Sequence, residues 1–401
     1  MGADRAFAAY FIARQAGWLA AAVEDVAIGW QIYAIHHRAI DLAFIGLIAF
    51  APQLLLAIPA GSIADRFDRR GVALALTCVN VLGSLAFIWL SVNNAESLAA
   101  WYGALAIVAC ANAASVPSQR ALLPQLRDGE RLVKASALIS SFSQLVVIAG
   151  PALAGLLIAW HVPAAFVAVT ACYALAALAY LVLPPQGRPA HDPAAESVLS
   201  YAVGGFRYLF QNRIILGAIS LDLFAVLFGG ATALLPIVAT QLLHVGAAGF
   251  GLLRAAPAVG AALVALWLSR RPIRRAAGRL LFFVVAGFGI FTIVFGLSRS
   301  FWLSLASLAL LGGFDMVSVV IRIVLVQVTT PNELRGRVSA IENIFIGASN
   351  ELGAFESGAL AALTNAPFSI LFGGCMTLLV IGLWSLFFPE LRTLDRLHVS
   401  E

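Results

Sequence analysis

Two long apolar runs, residues 44–64 and 72–92, flank a short charged stretch of the chain. It reads Gly61-Ser62-Ile63-Ala64-Asp65-Arg66-Phe67-Asp68-Arg69-Arg70. Each run has about the ~20 residues that a helix needs to cross a bilayer. A charged stretch this short between two membrane-length runs predicts a tight turn at the water interface.

The composition indicates a membrane protein. The 401 residues are 61% hydrophobic and only 11% charged, whereas a soluble domain of this length needs more charge to cover its surface. Apolar runs recur along the whole chain, and a membrane β-barrel would show short alternating segments instead. We therefore predict an all-α protein with twelve transmembrane helices, the second at 42–64 and the seventh at 214–243.

The distribution of Lys and Arg predicts the orientation. Twenty of the 25 basic residues fall in alternate segments between the predicted helices, two fall in the other loops, and three lie inside helices. Basic residues mark cytoplasmic loops, so we expect both termini in the cytoplasm. The richness in Ala and Arg is typical of GC-rich bacterial genomes, which favours a bacterial inner membrane.

The chain divides into two halves that repeat each other. A Pro-rich polar segment begins at residue 184, and an aromatic segment, 200–211, predicts an interfacial helix. We predict an N-terminal six-helix bundle at 1–183, a cytoplasmic linker at 184–211, a C-terminal bundle at 212–389 and a cytoplasmic tail at 390–401. Matching positions include Gly46 with Gly251 and Gly155 with Gly358. Two repeated six-helix halves are typical of secondary transporters.

The charged stretch also resembles a known signature. Its pattern, G-x-x-x-D-R-x-x-R-R, is similar to the loop between helices 2 and 3 of major facilitator superfamily transporters, with Asp68 where that family usually has Gly. Gly29-Trp30-Gln31-Ile32-Tyr33 and Pro59-Ala60-Gly61 resemble the branch that contains enterobactin exporters and macrolide-efflux-like proteins. The resemblance implies a gating loop formed by Gly61, Asp65, Arg66, Arg69 and Arg70.

Charged residues inside the predicted helices are candidates for the transport site. The resemblance implies that helices 1, 4, 7 and 10 line a cavity and that helices 2, 5, 8 and 11 flank it. A charge at bilayer depth costs at least about 2.5 kcal/mol, so it needs a cavity or a partner. The candidates for binding substrate or protons are Arg14, Asp25, Asp222, Asp315, Arg322, Glu342, Glu351 and Glu356. Helix spacing places Arg14, Trp18 and Asp25 on one face of helix 1, and Asp315 and Arg322 on one face of helix 10.

The buried acids outnumber the buried arginines, and an apolar environment favours the neutral form of a carboxylate. We therefore expect protons as the coupling ion, with Asp25 as the first candidate carrier. Structural ion pairs between helices are the alternative role for each of these residues. Helix 5 carries Gly150, Pro151 and Gly155, a segment similar to the family's antiporter motif. Close helix packing is the alternative reading of that segment.

The leading functional hypothesis is export of a small organic molecule, such as a siderophore, a macrolide or another hydrophobic compound, by proton antiport with alternating access. The alternatives are proton-coupled uptake of a nutrient or siderophore-derived compound, and a membrane receptor that does not transport. The sequence has no Walker loop or other enzyme signature. We expect no enzymatic activity, cofactor or bound metal, no nucleic-acid partner, and a monomer in the lipid bilayer.

Overall fold

A computed structural model of the protein describes residues 3–185, 198–271, 273 and 276–394. Within these ranges the side chains at positions 3, 57, 58, 65, 198–204, 332, 333, 340 and 343 are not described. The described residues form helices and connecting segments, without a strand. Arg274 and Arg275 lie outside the described residues, as do residues 186–197 of the predicted linker.

The helices of the first half follow one another with short connections. They are α1 (Ala3–His36), α2 (Ala39–Leu55), α3 (Ala57–Arg66), α4 (Arg69–Val92), α5 (Leu98–Leu126), α6 (Gly129–Trp160) and α7 (Val162–Val182).

The second half begins with α8 and an interrupted helix. Its elements are α8 (Val198–Gln211), α9 (Arg213–Phe228), a 3₁₀ turn (Ala231–Leu234), α10 (Leu235–Ile237), a π-helical turn (Val238–Leu242), α11 (Ala247–Arg270), α12 (Ala277–Leu297), α13 (Phe301–Thr329), α14 (Asn332–Leu363), α15 (Ala366–Phe387) and α16 (Pro389–Thr393).

Two predicted continuous spans are interrupted in the structure. The second span, predicted at 42–64, is divided at Leu56 into α2 and α3. Pro59 explains the division, because it has no N–H for the carbonyl of Leu55 and its ring collides with that carbonyl. The seventh span, predicted at 214–243, leaves regular α-helix at Gly229, before Pro236. The prediction of unbroken helices was wrong at both places.

Twelve helical passes remain in the described part of the chain when α2 is taken with α3 and α9 with the turns that follow it. Ten of the described segments are long and apolar enough to cross a membrane. α2 is a shorter apolar helix, and α14 is long enough but polar. The all-α fold with twelve spans is confirmed.

The chain forms two compact units, and each takes a short segment from the other half of the sequence. Unit 1 consists of Met1–His37, Ile48–Ala195 and Gly246–Ala255. Unit 2 consists of Arg38–Leu47, Glu196–Val245 and Ala256–Glu401. The start of α11 therefore packs with the helices of unit 1, and the start of α2 packs with those of unit 2. The predicted bundle boundaries stay predictions.

Each unit has its own apolar core. In unit 1, α1 packs against α6 and α7, and α4 packs against α5 and α7. The rings of Phe87, Trp101 and Phe166 lie 5.6–5.8 Å apart at one end of this unit. In unit 2, α12 packs against α13 and α15, and α9 packs against α14 and α15. α8 lies on α14, where Leu209 is fully buried.

Candidate functional site

A buried ion pair joins α9 to α13 in unit 2. The Arg322 Nη1 atom donates to Asp222 Oδ2 at 2.5 Å, and the two side chains are 3% and 7% exposed. Asp222 lies on the face of α9 that also buries Ala218 and Ala225, so helix periodicity directs it inward. Arg322 lies between the buried Ile321 and Leu325 on α13. An ion pair buried this deeply holds the two helices at one register.

Two further acids belong to this cluster. Asp315, two turns before Arg322 on α13, is partly buried and is an electrostatic neighbour of both Asp222 and Arg322. Glu342 on α14 is 7% exposed and has the same two neighbours. Among the described side chains, one carboxylate thus pairs with the Arg322 guanidinium and two more are its electrostatic neighbours. We refer to Asp222, Asp315, Arg322 and Glu342 as the Arg322 cluster.

A small cavity adjoins the Arg322 cluster. Asp222, Asp315 and Ser318 line its polar side, while Phe288 and Phe314 belong to its apolar side. Its space is about that of a single water molecule. Arg322 Nε and Ser318 Oγ are buried, and neither has a hydrogen-bond partner among the described residues. The cluster can therefore take up a further polar group.

The sequence predicted that these residues lie inside helices, but it did not predict which of them pair. Asp315 and Arg322 lie on one face of α13, as predicted, and Arg322 pairs with Asp222 of α9 instead. The two are 100 positions apart in the chain. Helix periodicity gives the face of each residue and cannot show which helix lies opposite.

Asp25 forms a second ion pair, in unit 1. Arg254 Nη2 donates to Asp25 Oδ2 at 2.6 Å, and the side chains are 28% and 54% exposed. Arg254 belongs to the segment Gly246–Ala255, which packs within this unit. Asp25 was predicted to lie deep in helix 1, and instead its side chain is more than half exposed. The predicted role of Asp25 as the proton carrier stays a prediction.

Arg14 is held by neighbours on its own helix and on α5. Its guanidinium lies 5.3 Å from the ring centroid of Trp18, a cation–π contact one turn along α1. Arg14 Nη1 also donates to Gln119 Oε1 at 3.5 Å. The Tyr10 hydroxyl donates to the Gln119 carbonyl at 3.0 Å. These contacts join α1 to α5 at the level of Arg14.

The remaining acidic candidates lie further along α14. Glu351 is partly buried at the place where its carbonyl approaches Gly46. Ser357 Oγ donates to Glu356 Oε2 at 3.3 Å. Nine residues of helix separate Glu342 from Glu351, or about 13 Å at 1.5 Å per residue. The structure therefore does not bring Glu351 or Glu356 into the Arg322 cluster.

In the second half of the predicted gating loop, Asp68, Arg69 and Arg70 make hydrogen bonds that hold it in place. Asp68 Oδ2 accepts the Gly71 N–H at 2.8 Å, so the residue that departs from the family pattern is the N-cap of α4. Arg70 donates to the carbonyls of Tyr180 and Leu181 at 2.9 and 2.7 Å. Arg69 Nη1 reaches the Ala121 carbonyl at 3.4 Å. The arginines thus tie α4 to the C-terminal end of α7 and to α5.

The structure gives less information about Gly61, Asp65 and Arg66, the other residues of the predicted gating loop. Arg66 is exposed at the end of α3, and Gly61 lies within that helix with open space beside it. The side chain of Asp65 lies outside the described side chains. The predicted gating role of Asp65 and Arg66 therefore stays a prediction.

The glycines of the helix 5 motif lie where helices approach closely. A Cβ at Gly150 would lie 2.6 Å from Ala22 Cβ of α1. A Cβ at Gly155 would lie 2.6 Å from Gly251 Cα and 2.7 Å from the Ala247 carbonyl of α11. These glycines let backbones pack without intervening side chains.

The repeat places an equivalent contact in unit 2. A Cβ at Gly358, the counterpart of Gly155, would lie 2.7 Å from Ala43 Cβ of α2. A Cβ at Gly46, the counterpart of Gly251, would lie 2.8 Å from the carbonyl of Glu351. The duplicated sequence thus builds the same kind of helix crossing in each unit.

One buried acid was missed in the list of candidates. Glu24 is 4% exposed, while its neighbour Asp25 faces outward. The signal was available, because Glu24 lies one turn from both Ala20 and Ala27. Small residues at Ala13, Ala20 and Ala27 recur every seven positions and are buried, so that stripe marks the packed face of α1.

The helical passes and the buried charges among them define the class of protein. The fold is that of major facilitator superfamily transporters, in which two repeated halves form twelve helices. The chain belongs to the family described as transmembrane secretion effectors, whose model matches residues 3–400. Members of this superfamily are transporters and not enzymes, and the chain is accordingly a multi-pass membrane transporter.

Two of the curated relatives that match are exporters by name. The enterobactin exporter EntS of Citrobacter koseri is 27% identical over 405 residues, which cover 96% of this chain and 92% of the relative. The protein of the same name from Shigella boydii serotype 18 is 26% identical over 401 residues, covering 94% and 92%.

The solved structures that match have the same fold at low identity. A bacterial homologue of the iron transporter ferroportin, in an inward-facing state, has a TM-score of 0.75 and 15% identity, covering 98% of this chain and all of that one. A bacterial homologue of the lysosomal transporter Spinster has a TM-score of 0.73 and 14% identity, covering 97% and 96%. At such identities they show the fold alone.

Proposed function

We propose that the protein exports a small organic molecule across the bacterial inner membrane in exchange for protons. Membership of a family of secretion effectors supports outward transport. The relatives named enterobactin exporters make a siderophore the first substrate to test, ahead of macrolides and other hydrophobic compounds. The basic loops support an orientation with both termini in the cytoplasm.

The Arg322 cluster is the observation that supports proton coupling. Three carboxylates around one guanidinium carry two excess negative charges when all are ionised. Burying an uncompensated charge costs several kcal/mol, so the cluster is more stable with one or two protons bound. A cluster that gains and loses protons as its exposure to water changes can couple proton entry to export.

Arg322 supplies the switch in this proposal. In the structure it pairs with Asp222, and protonation of Asp222 removes the charge that holds it. Asp315 and Glu342 are then the carboxylates within electrostatic reach. Asp222 lies on α9, Glu342 lies on α14, and Asp315 lies on another turn of α13. A change of partner by Arg322 would therefore move α13 relative to α9 or α14. The proton leaves when the carboxylate again pairs with Arg322.

The direction of transport is tested in cells. A bacterial strain that makes enterobactin but lacks its own exporter retains the siderophore, and expression of this protein should restore secretion. The Asp222→Asn variant should secrete little, whereas Glu96→Gln, which alters an exposed loop acid, should match the unmodified protein. A higher siderophore level inside the cells would favour uptake. Unchanged cellular levels of both the siderophore and macrolides would favour a receptor. Either result contradicts export.

A further inference from the structure

We propose that Glu24 is a proton-binding site in the interior of unit 1, with Tyr173 as the hydrogen-bond partner of its protonated carboxyl group. Its role in transport rests on the proton coupling proposed above, while the binding of the proton does not. The site is separate from the Arg322 cluster, since its side chains come from α1, α4, α5 and α7 of unit 1.

The packing of α1 encloses Glu24. Ala20 and Ala27, one turn before and after it, are fully buried, and Glu24 itself is 4% exposed. Tyr173 of α7, which is 2% exposed, is its electrostatic neighbour. The Glu24 Oε2 atom is buried in this packing.

Polar side chains line the site. Asn80 Nδ2 of α4 donates to Asn112 Oδ1 of α5 at 2.7 Å. The Asn112 side chain is in turn a neighbour of the Tyr173 hydroxyl. With its oxygen engaged by Asn80, the Asn112 amide has its nitrogen left as the group that could donate to the Tyr173 hydroxyl. The Tyr173 hydroxyl is then oriented to interact with Glu24.

Two buried atoms of this site lack a hydrogen bond of normal geometry. They are Glu24 Oε2 and the Tyr173 hydroxyl, and neither has a hydrogen-bond partner among the described residues. Tyr173 and Glu24 are close enough to interact, so a small side-chain movement would let them share one hydrogen bond. As it stands, the buried Glu24 Oε2 has no donor, which is costly for an ion and less costly for a neutral acid.

The charged and titratable groups around Glu24 offer no compensating cation. Asp25 is adjacent on α1 and carries a like charge. α7 contributes Tyr173, α5 contributes Asn112, and α6 presents Gly150 against Ala22 at this level. Arg14 is ten residues away, about 15 Å along the helix. No ion pair to Glu24 occurs in the described part of the chain, which leaves a proton as the species that neutralises it.

The chemistry of the site is a reversible protonation. Glu24 binds one proton at a carboxylate oxygen and becomes a neutral acid, with Tyr173 remaining a neutral phenol. No bond between heavy atoms forms or breaks. The proton returns to water when a conformational change of α1 against α7 opens the carboxyl group to solvent. Each unit would then hold its own proton site, Glu24 in unit 1 and the Arg322 cluster in unit 2.

Infrared spectroscopy of the purified full-length protein in lipid nanodiscs tests this proposal without a transported substrate. The spectrum is recorded near neutral pH, where a solvated glutamate is ionised. Subtracting the Glu24→Gln spectrum from that of the unmodified protein should leave the carbonyl band of one protonated carboxyl group. The same subtraction with Glu96→Gln, an exposed acid, should leave only carboxylate bands.

A second variant keeps the test valid if Glu24→Gln does not fold. Tyr173→Phe removes the hydroxyl and should shift the carboxyl band to higher frequency, as expected when the group loses a hydrogen bond. An ionised carboxylate in the Glu24 difference spectrum, or an unchanged band in Tyr173→Phe, overturns the proposal. A carboxylate band that responds to Na⁺ or K⁺ would also overturn it and would assign the site to an alkali cation. A pH-insensitive transport rate with the band present would instead refute only the proposed coupling.

Discussion

Arg322 is the cation around which the buried acids of unit 2 are arranged. Removing one partner of a buried ion pair leaves an uncompensated charge and typically costs about 3–5 kcal/mol, whereas removing both costs less. We predict that Arg322→Gln lowers the free energy of unfolding by about this amount. The double variant Asp222→Asn/Arg322→Gln should recover part of the loss.

Thermal unfolding in detergent measures this prediction. Arg299→Gln is the matched control, because Arg299 is exposed and donates to the Ser298 carbonyl. It should unfold close to the temperature of the unmodified protein. The stability losses of Arg322→Gln and Asp222→Asn could instead simply add in the double variant. That result would mean that the two residues do not stabilise each other.

Asp68 explains at the scale of one residue why this chain departs from the family pattern. Its side chain caps α4, and loss of such a cap costs about 1 kcal/mol. Asp128 precedes α6 in the same way but makes no side-chain capping bond. We predict that Asp68→Ala lowers thermal stability measurably and that Asp128→Ala changes it little. Equal effects of the two substitutions would show that the cap is not the cause.

The acids of α1 show what the sequence can predict about single residues. Helix periodicity placed Arg14, Trp18 and Asp25 on one face, and the contact of Arg14 with Trp18 agrees with it. Periodicity could also have directed attention to Glu24, since the buried alanines mark its face. The pairing of Asp25 with Arg254 required the tertiary structure, because 229 positions separate the two residues.

Helix crossings illustrate the scale of the elements. Gly155 and Gly103 both lie inside long helices, where replacing Gly by Ala gains up to about 1 kcal/mol of helix propensity. A Cβ at Gly155 would collide with the backbone of α11, while nothing lies within 4 Å of one at Gly103. We predict that Gly155→Ala destabilises the protein and that Gly103→Ala does not.

Thermal unfolding in detergent measures this prediction. The unfolding temperature should fall for Gly155→Ala and should not fall for Gly103→Ala. Gly358→Ala should behave like Gly155→Ala, since its Cβ would meet Ala43 of α2. A stabilised Gly155→Ala would contradict the close crossing of α6 and α11.

Most of the helices were predictable because their apolar runs are long. The sequence fails where the backbone leaves regular helix within an apolar run, at Leu56 and at Gly229. In both places a proline follows within seven residues, and the hydropathy that identifies a span does not register the missing N–H. Prolines alone would not have located the breaks, since α5 contains Pro117 and Pro124 without interruption.

Orientation is a property of the whole molecule. The asymmetric distribution of basic residues predicts that residues 66–70, 120–134 and 270–279 face the cytoplasm. We predict that single cysteines at Phe67, Arg131 and Arg271 resist an impermeant thiol reagent in intact cells, in a background that lacks the four native cysteines. A cysteine at Glu96, in a loop predicted to face outward, should react. Labelling at Phe67, Arg131 and Arg271 with protection at Glu96 would reverse the assignment, and comparable labelling at all four positions would contradict it.

Proton-driven export is the central claim for the whole molecule, and flux in proteoliposomes under an imposed pH gradient tests it most directly. The purified protein is reconstituted into vesicles and a siderophore is supplied on one side of the membrane. The solution on the other side, to which the siderophore should move, is made more acidic, so that protons enter from there. We expect siderophore accumulation against its gradient, with proton movement in the opposite direction. Asp222→Asn should retain exchange at equal concentrations but lose accumulation. A flux that ignores the pH gradient, or that follows the protons, would contradict the account.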